Sequence, residues 1–269
     1  MNTIRVERPR DEVAVITLDR PDRLNAITWE MVDELHATFD EIDRDNTCRV
    51  VILTGEGRGF CSGIDLAAGG GSSTSEGIAS GPRAGMRSQE HIANLVPHMR
   101  RIQQPVVAAV NGVAYGGGFA LACGADIRVA AESARMCTQF IKVGIGGCDI
   151  GVSYTLPRLV GGSRAHELIL TARAIDAEEA ERIGLVSRVV PDGTVVDAAM
   201  EVADTLCSYT PFGVVITKQV LWANVDAPNI EAAVHLENRN QILASTTGDM
   251  REAATAFVEK RAPVWGRND

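Results

Sequence analysis

A run of three glycines carries the strongest chemical information in this chain. Gly116-Gly117-Gly118 lies between the apolar run Val106–Val110 and a short apolar segment at residues 119–123. The run predicts a buried strand, and the segment after the glycines predicts a buried helix. Because glycine has no Cβ, a ligand can approach this backbone and meet the free N–H groups of the helix N-terminus. We therefore expect a site for an anion, or for an oxygen that becomes anionic during a reaction.

A second glycine-rich loop, Phe60-Cys61-Ser62-Gly63, follows another apolar run at residues 49–54. The two stretches resemble each other, since each is a strand followed by a glycine loop. Two such loops can direct two backbone N–H groups at one oxygen. That arrangement is an oxyanion hole, which stabilises charge that develops in a transition state.

These loops need a β/α framework to position them. Strands are predicted at residues 13–18, 49–54, 106–110 and 127–130, and helices at 28–45, with Thr28 as N-cap, and at 85–102. The Gly- and Ser-rich residues 67–83 predict a mobile surface loop. Beyond residue 192 the pattern is almost purely helical. We predict a β/α core at residues 1–190 and a helical C-terminal region at residues 191–269.

Composition narrows the functional classes. The 269 residues are 45% hydrophobic with a formal charge of −9 and no block of Lys or Arg, which argues against nucleic-acid binding. No apolar run approaches the ~20 residues that span a bilayer, and the first residues lack the apolar core of a signal peptide. Six scattered cysteines suggest reduced thiols in a cytoplasmic protein, and no metal-binding motif occurs. The five histidines fall in helical patterns, where surface or packing roles are expected.

Three other chemistries lack their motifs. A dinucleotide fingerprint is nearly formed between Gly144 and Gly151, but Asp149 occupies the position of its third glycine. No Gly-Lys-Ser/Thr occurs for a Walker loop, and no Gly-x-Ser-x-Gly occurs for a serine hydrolase. The oxyanion hole remains the best-supported prediction.

Six segments together resemble the enoyl-CoA hydratase/isomerase (crotonase) superfamily, in order and over almost the whole chain. They are Phe60-Cys-Ser-Gly-Ile-Asp-Leu66, Pro105 to Gly118, Ala122-Cys-Gly-Ala-Asp-Ile127, Leu156-Pro-Arg-Leu-Val-Gly161, residues 180–188 and Phe257-Val-Glu-Lys-Arg261. The resemblance implies an α/β fold, a crotonase-like spiral of ββα turns with a helical C-terminal oligomerisation region. It also implies acyl-CoA thioester substrates, a homo-trimer or hexamer, and no cofactor, because coenzyme A enters as part of the substrate.

The resemblance also assigns residues. The N–H groups of Ser62 and Gly117 would hold the thioester oxygen while an enolate forms, and Asp65 would orient the first loop. Leu24 and Ala26 would line the place where CoA enters. Phe257 and Lys260 would reach CoA across a subunit contact, with ordinary packing or solvation as the alternative for these last four residues. The substrate-binding positions implied by the resemblance are Leu24, Ala26, Gly63, Ile64, Asp65, Ala120, Phe140, Ile141, Phe257 and Lys260.

The chain departs from the hydratase pattern at both of its catalytic glutamates. One falls at Ala120 and the other at Phe140 or Ile141, and none of these side chains carries a proton. Asp149 matches an aspartate that dienoyl-CoA isomerases use to move protons, although their other two acids are absent here. Its alternative role is a helix N-cap.

We therefore predict double-bond isomerisation of an unsaturated acyl-CoA through an enolate, with Asp149 as the proton carrier. Two alternatives remain open. One is an enoyl-CoA hydratase of fatty-acid β-oxidation, and the other is a non-catalytic acyl-CoA-binding protein that retains only the loops.

Overall fold

The computed structural model describes residues 2–68 and 82–266. Within these ranges ten strands form two sheets. In chain order the strands are β1 Ile4–Arg10, β2 Val13–Leu18, β3 Val50–Gly55, β4 Gly59–Cys61, β5 Val106–Val110, β6 Val113–Tyr115, β7 Ile127–Ala131, β8 Arg135–Cys137, β9 Ile175–Asp176 and β10 Arg188–Val190.

The same part of the chain contains eleven α-helices. They are α1 Trp29–Arg44, α2 Pro82–Ala93, α3 Leu95–Arg101, α4 Gly117–Gly124, α5 Val152–Val160, α6 Gly162–Thr171, α7 Ala177–Arg182, α8 Val195–Cys207, α9 Pro211–Asn224, α10 Ile230–Ser245 and α11 Asp249–Glu259. None of these described helices is both long and apolar enough to cross a membrane.

The larger sheet has the strand order β1-β2-β3-β5-β7-β10, and it is parallel except for the antiparallel pair β1 and β2. Strands β3 and β5 are buried at every position. Continuous apolar runs of this kind are typical of parallel strands that are covered on both faces. The smaller sheet has the order β4-β6-β8-β9, with β9 antiparallel to its neighbour.

Consecutive strands are divided between the two sheets. Strands β3, β5 and β7 lie in the larger sheet, while their immediate successors β4, β6 and β8 lie in the smaller one. A helix follows each of these pairs before the next pair or strand begins. The structure therefore contains the predicted spiral of ββα turns, and it brings the ends of β4 and β6 side by side as parallel neighbours.

Most predicted elements are confirmed, and one is wrong. Thr28 is the N-cap of α1, where its side chain accepts a hydrogen bond of 3.2 Å from the N–H of Met31. The single helix predicted at residues 85–102 is two helices that break at Asn94. Pro97 explains the break, because a proline ring clashes with the carbonyl four residues earlier in a continuous helix. That carbonyl belongs to Ala93, the last residue of α2.

Two regional predictions are not tested here. The loop predicted at residues 67–83 lies mostly outside the described residues, and its mobility stays a prediction. The division into residues 1–190 and 191–269 also stays a prediction. The C-terminal region is helical from α8 to α11, as expected, and Pro211 occupies the first turn of α9.

A buried lysine fastens α9 to the core. The ammonium of Lys218 donates to the carbonyls of Met99 and Gln104 at 3.2 and 2.8 Å and lies 3.0 Å from the carboxylate of Asp126. Trp222, one turn further along α9, donates to the other oxygen of that carboxylate at 2.6 Å. Burial lowers the pKa of Lys218, and the charge of Asp126 opposes this shift. The sequence pattern did not predict this contact.

Three histidines pack together where α1 meets α2 and α3. The ring of His36 stacks on those of His91 and His98, with centroids 4.9 and 5.1 Å apart. The Nδ1 atoms of His36 and His98 lie 2.8 Å apart, so one must donate and the other accept. Asp33 lies 2.6 Å from His91, and Asp40 lies 3.1 Å from His98. For these three of the five histidines, a packing role within helices is found, one of the two roles that the sequence predicts.

The packed histidines predict a loss of stability in mild acid. Burial and the charge of His36 lower the pKa of His98, although Asp40 opposes the shift. The unfolded chain therefore takes up a proton first, near pH ~6.5. We expect the contribution of His98 to the free energy of unfolding to be fully present above that pH and to be lost as the pH falls through the lowered pKa of His98 in the folded protein. Urea unfolding at several pH values measures this, and His98→Gln should flatten the dependence. An unchanged slope in that variant would exclude His98 as the cause.

Candidate active site

The glycine run forms the N-terminus of α4. Gly116 is the N-cap with φ 52° and ψ −118°, a conformation that favours glycine, and its N–H donates to the carbonyl of Cys137. A Cβ on Gly118 would lie 2.1 Å from the carbonyl oxygen of Cys61. The backbone of α4 therefore packs directly on the end of β4. The N–H of Gly117, the first residue of α4, has no acceptor within the helix.

The second loop is pinned against Ile27. The N–H of Ile27 donates to the carbonyl of Gly63 at 2.7 Å, and the N–H of Asp65 donates to the carbonyl of Ile27 at 2.9 Å. In a parallel bridge of this kind, the N–H of the intervening Ile64 points away from Ile27. Among residues 2–68 and 82–266 that N–H has no hydrogen-bond acceptor. A Cβ on Gly63 would lie 3.6 Å from the nitrogen of Gly117, so the two loops are in contact.

The N–H of Ser62 is already bonded, which corrects its predicted role. It donates to the carbonyl of Leu24 at 2.9 Å, and the Ser62 hydroxyl donates to the carbonyl of Arg23 at 3.3 Å. A donor that is already paired cannot also hold a substrate oxygen well. Among the described residues, Ile64 and Gly117 remain as cavity-lining residues with unpaired backbone N–H groups, in two loops that are in contact.

Asp65 is buried and is not among the described residues that line the cavity in front of these loops. One carboxylate oxygen accepts a hydrogen bond of 2.8 Å from Arg20, and the other accepts one of 3.1 Å from the N–H of Ala67. Arg20 also donates to the carbonyl of Ala26 at 2.5 Å. Asp65 thus ties the loop to the segment that precedes α1, which is consistent with the orienting role that the sequence suggested.

A cavity of about 460 Å³ opens in front of the two loops. Its wall is mostly apolar. The polar side chains come from α2, from the loop at residue 62 and from the segments at residues 139 and 149. Among the described lining residues, Asp149 is the single acid. The cavity is lined by Trp29, Ser62, Gly63, Ile64, Leu66, Gly85, Ser88, Gln89, Ile92, Gly116, Gly117, Gln139, Phe140, Val143, Ile145, Asp149 and Ile150.

The carboxylate of Asp149 is held from one side. Its Oδ1 accepts hydrogen bonds from the Nε2 of Gln89 at 2.5 Å and from the N–H of Ile150 at 2.7 Å. Within the described residues, Oδ2 accepts no hydrogen bond. The N-cap of α5 is Gly151, without a side-chain cap, so the alternative of Asp149 as an N-cap is wrong. The carboxylate is left in the cavity wall with one oxygen available.

The two positions where a hydratase carries glutamate are both apolar in the folded chain. Ala120 is fully buried inside α4 and does not line the cavity, which corrects its predicted substrate contact. Phe140 lines the cavity on the one-turn helix Phe140–Val143, whereas Ile141 is 43% exposed and points elsewhere. Gln139, just before that turn, lines the cavity with a left-handed φ of 58°.

The remaining predicted CoA contacts lie away from this cavity. Leu24 supports the loop by accepting the N–H of Ser62, and Ala26 is buried beside it. Phe257 is 85% exposed on α11, and Lys260 ends that helix in a left-handed conformation. The resemblance assigns these last two to a contact between subunits, so their role stays a prediction.

The cysteine beside the loop is unsuited to nucleophilic chemistry. Burial raises the pKa of the Cys61 thiol to about 12, because the charged thiolate would lose its hydration. Burial likewise raises the pKa of Cys137. In the described part of the chain, no group of three or more His, Cys, Asp or Glu residues could hold a metal ion. Within the described residues, the lining of this cavity combines the unpaired N–H groups of Ile64 and Gly117 with one carboxylate, that of Asp149.

Several lining residues were not predicted from the sequence. Gln89, Ile92 and Trp29 come from helices whose apolar faces indicated only packing. On α2, however, residues 85, 88, 89 and 92 all line the cavity, which is the i, i+3, i+4, i+7 spacing of one helix face. Three of these four positions carry small or polar residues, Gly85, Ser88 and Gln89, where a purely packing face would be apolar, and this departure is the available signal.

Comparisons with known proteins show similarity to one enzyme family over nearly the whole chain. The sequence model of the family "Enoyl-CoA hydratase/isomerase" matches residues 8–268. A protein of Mycobacterium tuberculosis named "Probable enoyl-CoA hydratase" is 42% identical over 266 residues, covering 98% of this chain and 93% of the relative. The 1,2-epoxyphenylacetyl-CoA isomerase of Escherichia coli is 37% identical over 251 residues, covering 93% of this chain and 94% of the relative.

The fold agrees as well. A crystal structure of an enoyl-CoA hydratase from Bacillus anthracis superposes with a TM-score of 0.91 at 31% identity, covering 99% of this chain and 100% of that chain. The α/β fold class predicted from the sequence is therefore confirmed.

Proposed function

The chain belongs to the enoyl-CoA hydratase/isomerase family of acyl-CoA enzymes, and we propose that it moves a double bond within an unsaturated acyl-CoA. The observation that carries this proposal is the cavity whose described lining holds the unpaired N–H groups of Ile64 and Gly117 together with one carboxylate, that of Asp149. One carboxyl group that first removes a proton and then donates one is sufficient for an isomerisation. Adding water across a double bond needs a base for the water and an acid for the carbon.

The proposed steps balance with the residues of the cavity alone. The carboxylate of Asp149 removes a proton from the carbon between the thioester and the double bond. The electron pair of that C–H bond moves into the conjugated system, and the negative charge develops on the thioester oxygen. The N–H groups of Ile64 and Gly117 hold that oxygen. The carboxylic acid of Asp149, which can exchange its proton with solvent, then donates a proton to the far carbon, which shifts the double bond and restores the carboxylate.

The surroundings favour this proton transfer. The apolar side chains of Ile64, Phe140 and Ile150 line the space in front of the donors, and electrostatic interactions strengthen in such apolar surroundings. The dipole of α4 places partial positive charge at Gly117, on the side where the oxygen becomes negative. We propose that no cofactor takes part, since coenzyme A belongs to the substrate.

Hydration is the second candidate, because the M. tuberculosis relative is named a hydratase. An assay with matched acyl chains separates the two activities. With a 3-enoyl-CoA we expect double-bond migration, measured by the absorbance of the conjugated thioester that forms. With the 2-enoyl-CoA of equal length we expect hydration at least about a hundredfold slower, because one general acid or base is worth about 10²–10⁴-fold. Hydration as fast as isomerisation would contradict the proposal.

Binding without catalysis is tested in the same experiment. Calorimetric binding of both thioesters, with no double-bond migration and no uptake of solvent deuterium, would favour the binding protein and overturn the proposed isomerase.

We also propose that the helical C-terminal region assembles subunits. Large apolar side chains are exposed on α9 to α11, among them Leu221 at 65%, Ile230 at 73% and Ile242 at 67%. Isolated exposed apolar residues are ordinary, but several on neighbouring helices are typical of an interface. Light scattering of the purified protein tests for a trimer or hexamer, and a monomer at micromolar concentration would contradict it.

A further inference from the structure

Two separate elements meet at the carboxylate of Asp149. Gln89 lies on α2, and Asp149 lies 60 residues later in the loop before α5. The Nε2 of Gln89 and the backbone N–H of Ile150 both donate to Oδ1, at 2.5 and 2.7 Å. The side chains of Gln89 and Asp149 both line the cavity in front of the two glycine loops. Gln89 therefore contacts the proposed proton carrier from outside its own loop.

This contact determines which oxygen is available. The terminal torsion of an aspartate side chain is broad, so one donor on Oδ1 leaves the carboxylate free to turn. The N–H of Ile150 belongs to the residue next to Asp149 and moves with it. The amide of Gln89 belongs to α2, so its hydrogen bond fixes the orientation of the carboxylate relative to a separate element. With both donors on Oδ1, Oδ2 is the oxygen without a partner among the described residues.

The helix that carries Gln89 is itself anchored. Two residues after Gln89, the side chain of His91 lies 2.6 Å from Asp33 on α1, and its ring stacks on that of His36. Ile92, on the next position, is buried in the core. The amide of Gln89 is therefore presented from a helix that packs against the rest of the protein.

We propose that Gln89 is a positioning residue, which orients the Asp149 carboxylate so that Oδ2 faces the substrate carbon. This inference rests on the proposed isomerase function. A positioned base gains most of its advantage from alignment with the C–H bond, and a misplacement near 1 Å can cost about a hundredfold in rate. Gln89 acts through Asp149 and requires no contact with the substrate.

A double-mutant cycle tests the inference. Gln89→Met removes the donor and keeps the length and helix propensity of the side chain. Glu90→Met is the matched control, since it puts the same side chain on the adjacent exposed position outside this cavity. Each is made in the natural protein, and Gln89→Met is also made together with Asp149→Asn. Thermal unfolding checks that all variants fold, and isomerisation gives kcat and KM.

We expect Gln89→Met to lower kcat by about 10- to 100-fold while KM stays nearly constant, because alignment of the base matters only in the reaction step. Glu90→Met should match the natural protein. In the Asp149→Asn background, adding Gln89→Met should cause no further loss of rate. The residual rate in this background is measured as slow deuterium uptake over long incubations. Such non-additivity shows that the two residues act as a unit.

Three outcomes would overturn the inference. An equal fold-loss from Gln89→Met in both backgrounds would show that it acts independently of Asp149. A rise in KM with an unchanged kcat would indicate that Gln89 contacts the substrate instead of positioning Asp149. If neither kcat nor KM changed, Gln89 would have no role in the reaction. If Asp149→Asn itself left kcat unchanged, the proposed function would fail first, and this result is distinct from the other three.

Discussion

Replacing Asp149 with asparagine is expected to lower the rate of double-bond migration by about 10²–10⁴-fold, the usual value of one general acid or base. Asparagine keeps the shape of the side chain and can still accept the hydrogen bond from Ile150. It cannot accept and return a proton. The measurement is the uptake of deuterium from ²H₂O into a 3-enoyl-CoA, followed by NMR together with the migration of the double bond.

The control for this variant is binding. Calorimetry with a saturated acyl-CoA should give the same affinity for the Asp149→Asn and natural proteins, since the N–H groups of Ile64 and Gly117 are unchanged. Exchange at the natural rate in the variant would show that another group carries the proton. Loss of both binding and exchange would indicate that the cavity had been disrupted.

Gly118→Ala is expected to have the largest effect on stability. Its new Cβ would lie 2.1 Å from the carbonyl oxygen of Cys61 and 2.6 Å from the Cβ of that residue. Backbone cannot yield as a flexible side chain does, so α4 and the end of β4 must separate. We expect a loss of at least about 3 kcal/mol in the free energy of unfolding, and a fall in Tm of about 6–12 °C. Activity should be lost as well, because the two donor loops move apart.

Gly162→Ala provides the matched control for this stability effect. A Cβ at that first position of α6 would meet no atom within 4 Å. We expect its free energy of unfolding to stay within about 0.5 kcal/mol of the natural protein. A change of less than about 1 kcal/mol in Gly118→Ala would contradict the close backbone packing of α4 on β4.

The fold and half of the donor pair follow from local sequence. Apolar runs that are buried on both faces predict parallel strands, and the strands at residues 13–18 and 106–110 were placed correctly. Glycine at position 117 predicts a helix N-terminus open to a ligand. This prediction needs only the neighbouring glycines and the apolar segment that follows them. Family resemblance then supplied the order of the ββα turns.

The second donor depends on contacts that are distant in sequence. Ser62 and Ile64 have equivalent backbone groups, and the sequence does not show which one is free. The choice is made by the carbonyl of Leu24, which takes the N–H of Ser62, and by Ile27, which pins the residues on either side of Ile64. Both partners lie more than 35 residues earlier in the chain, so local pattern could not distinguish the two candidates.

Local sequence leaves the role of Asp149 open for the same reason. An aspartate shortly before a helix is equally consistent with an N-cap or a catalytic acid. The structure excludes the cap because α5 begins after Gly151, and it places Gln89 from α2 against the carboxylate. Periodicity along α2 could indicate a cavity-lining face but could not identify the residue that it meets.

A crystal structure with a saturated acyl-CoA, which binds but cannot isomerise, tests the central claim most directly. The thioester oxygen should lie within about 3.1 Å of the nitrogens of both Ile64 and Gly117. The Oδ2 of Asp149 should face the acyl carbons next to the thioester. A thioester oxygen bound away from this pair, or a carboxylate of Asp149 turned away from the acyl chain, would contradict the account.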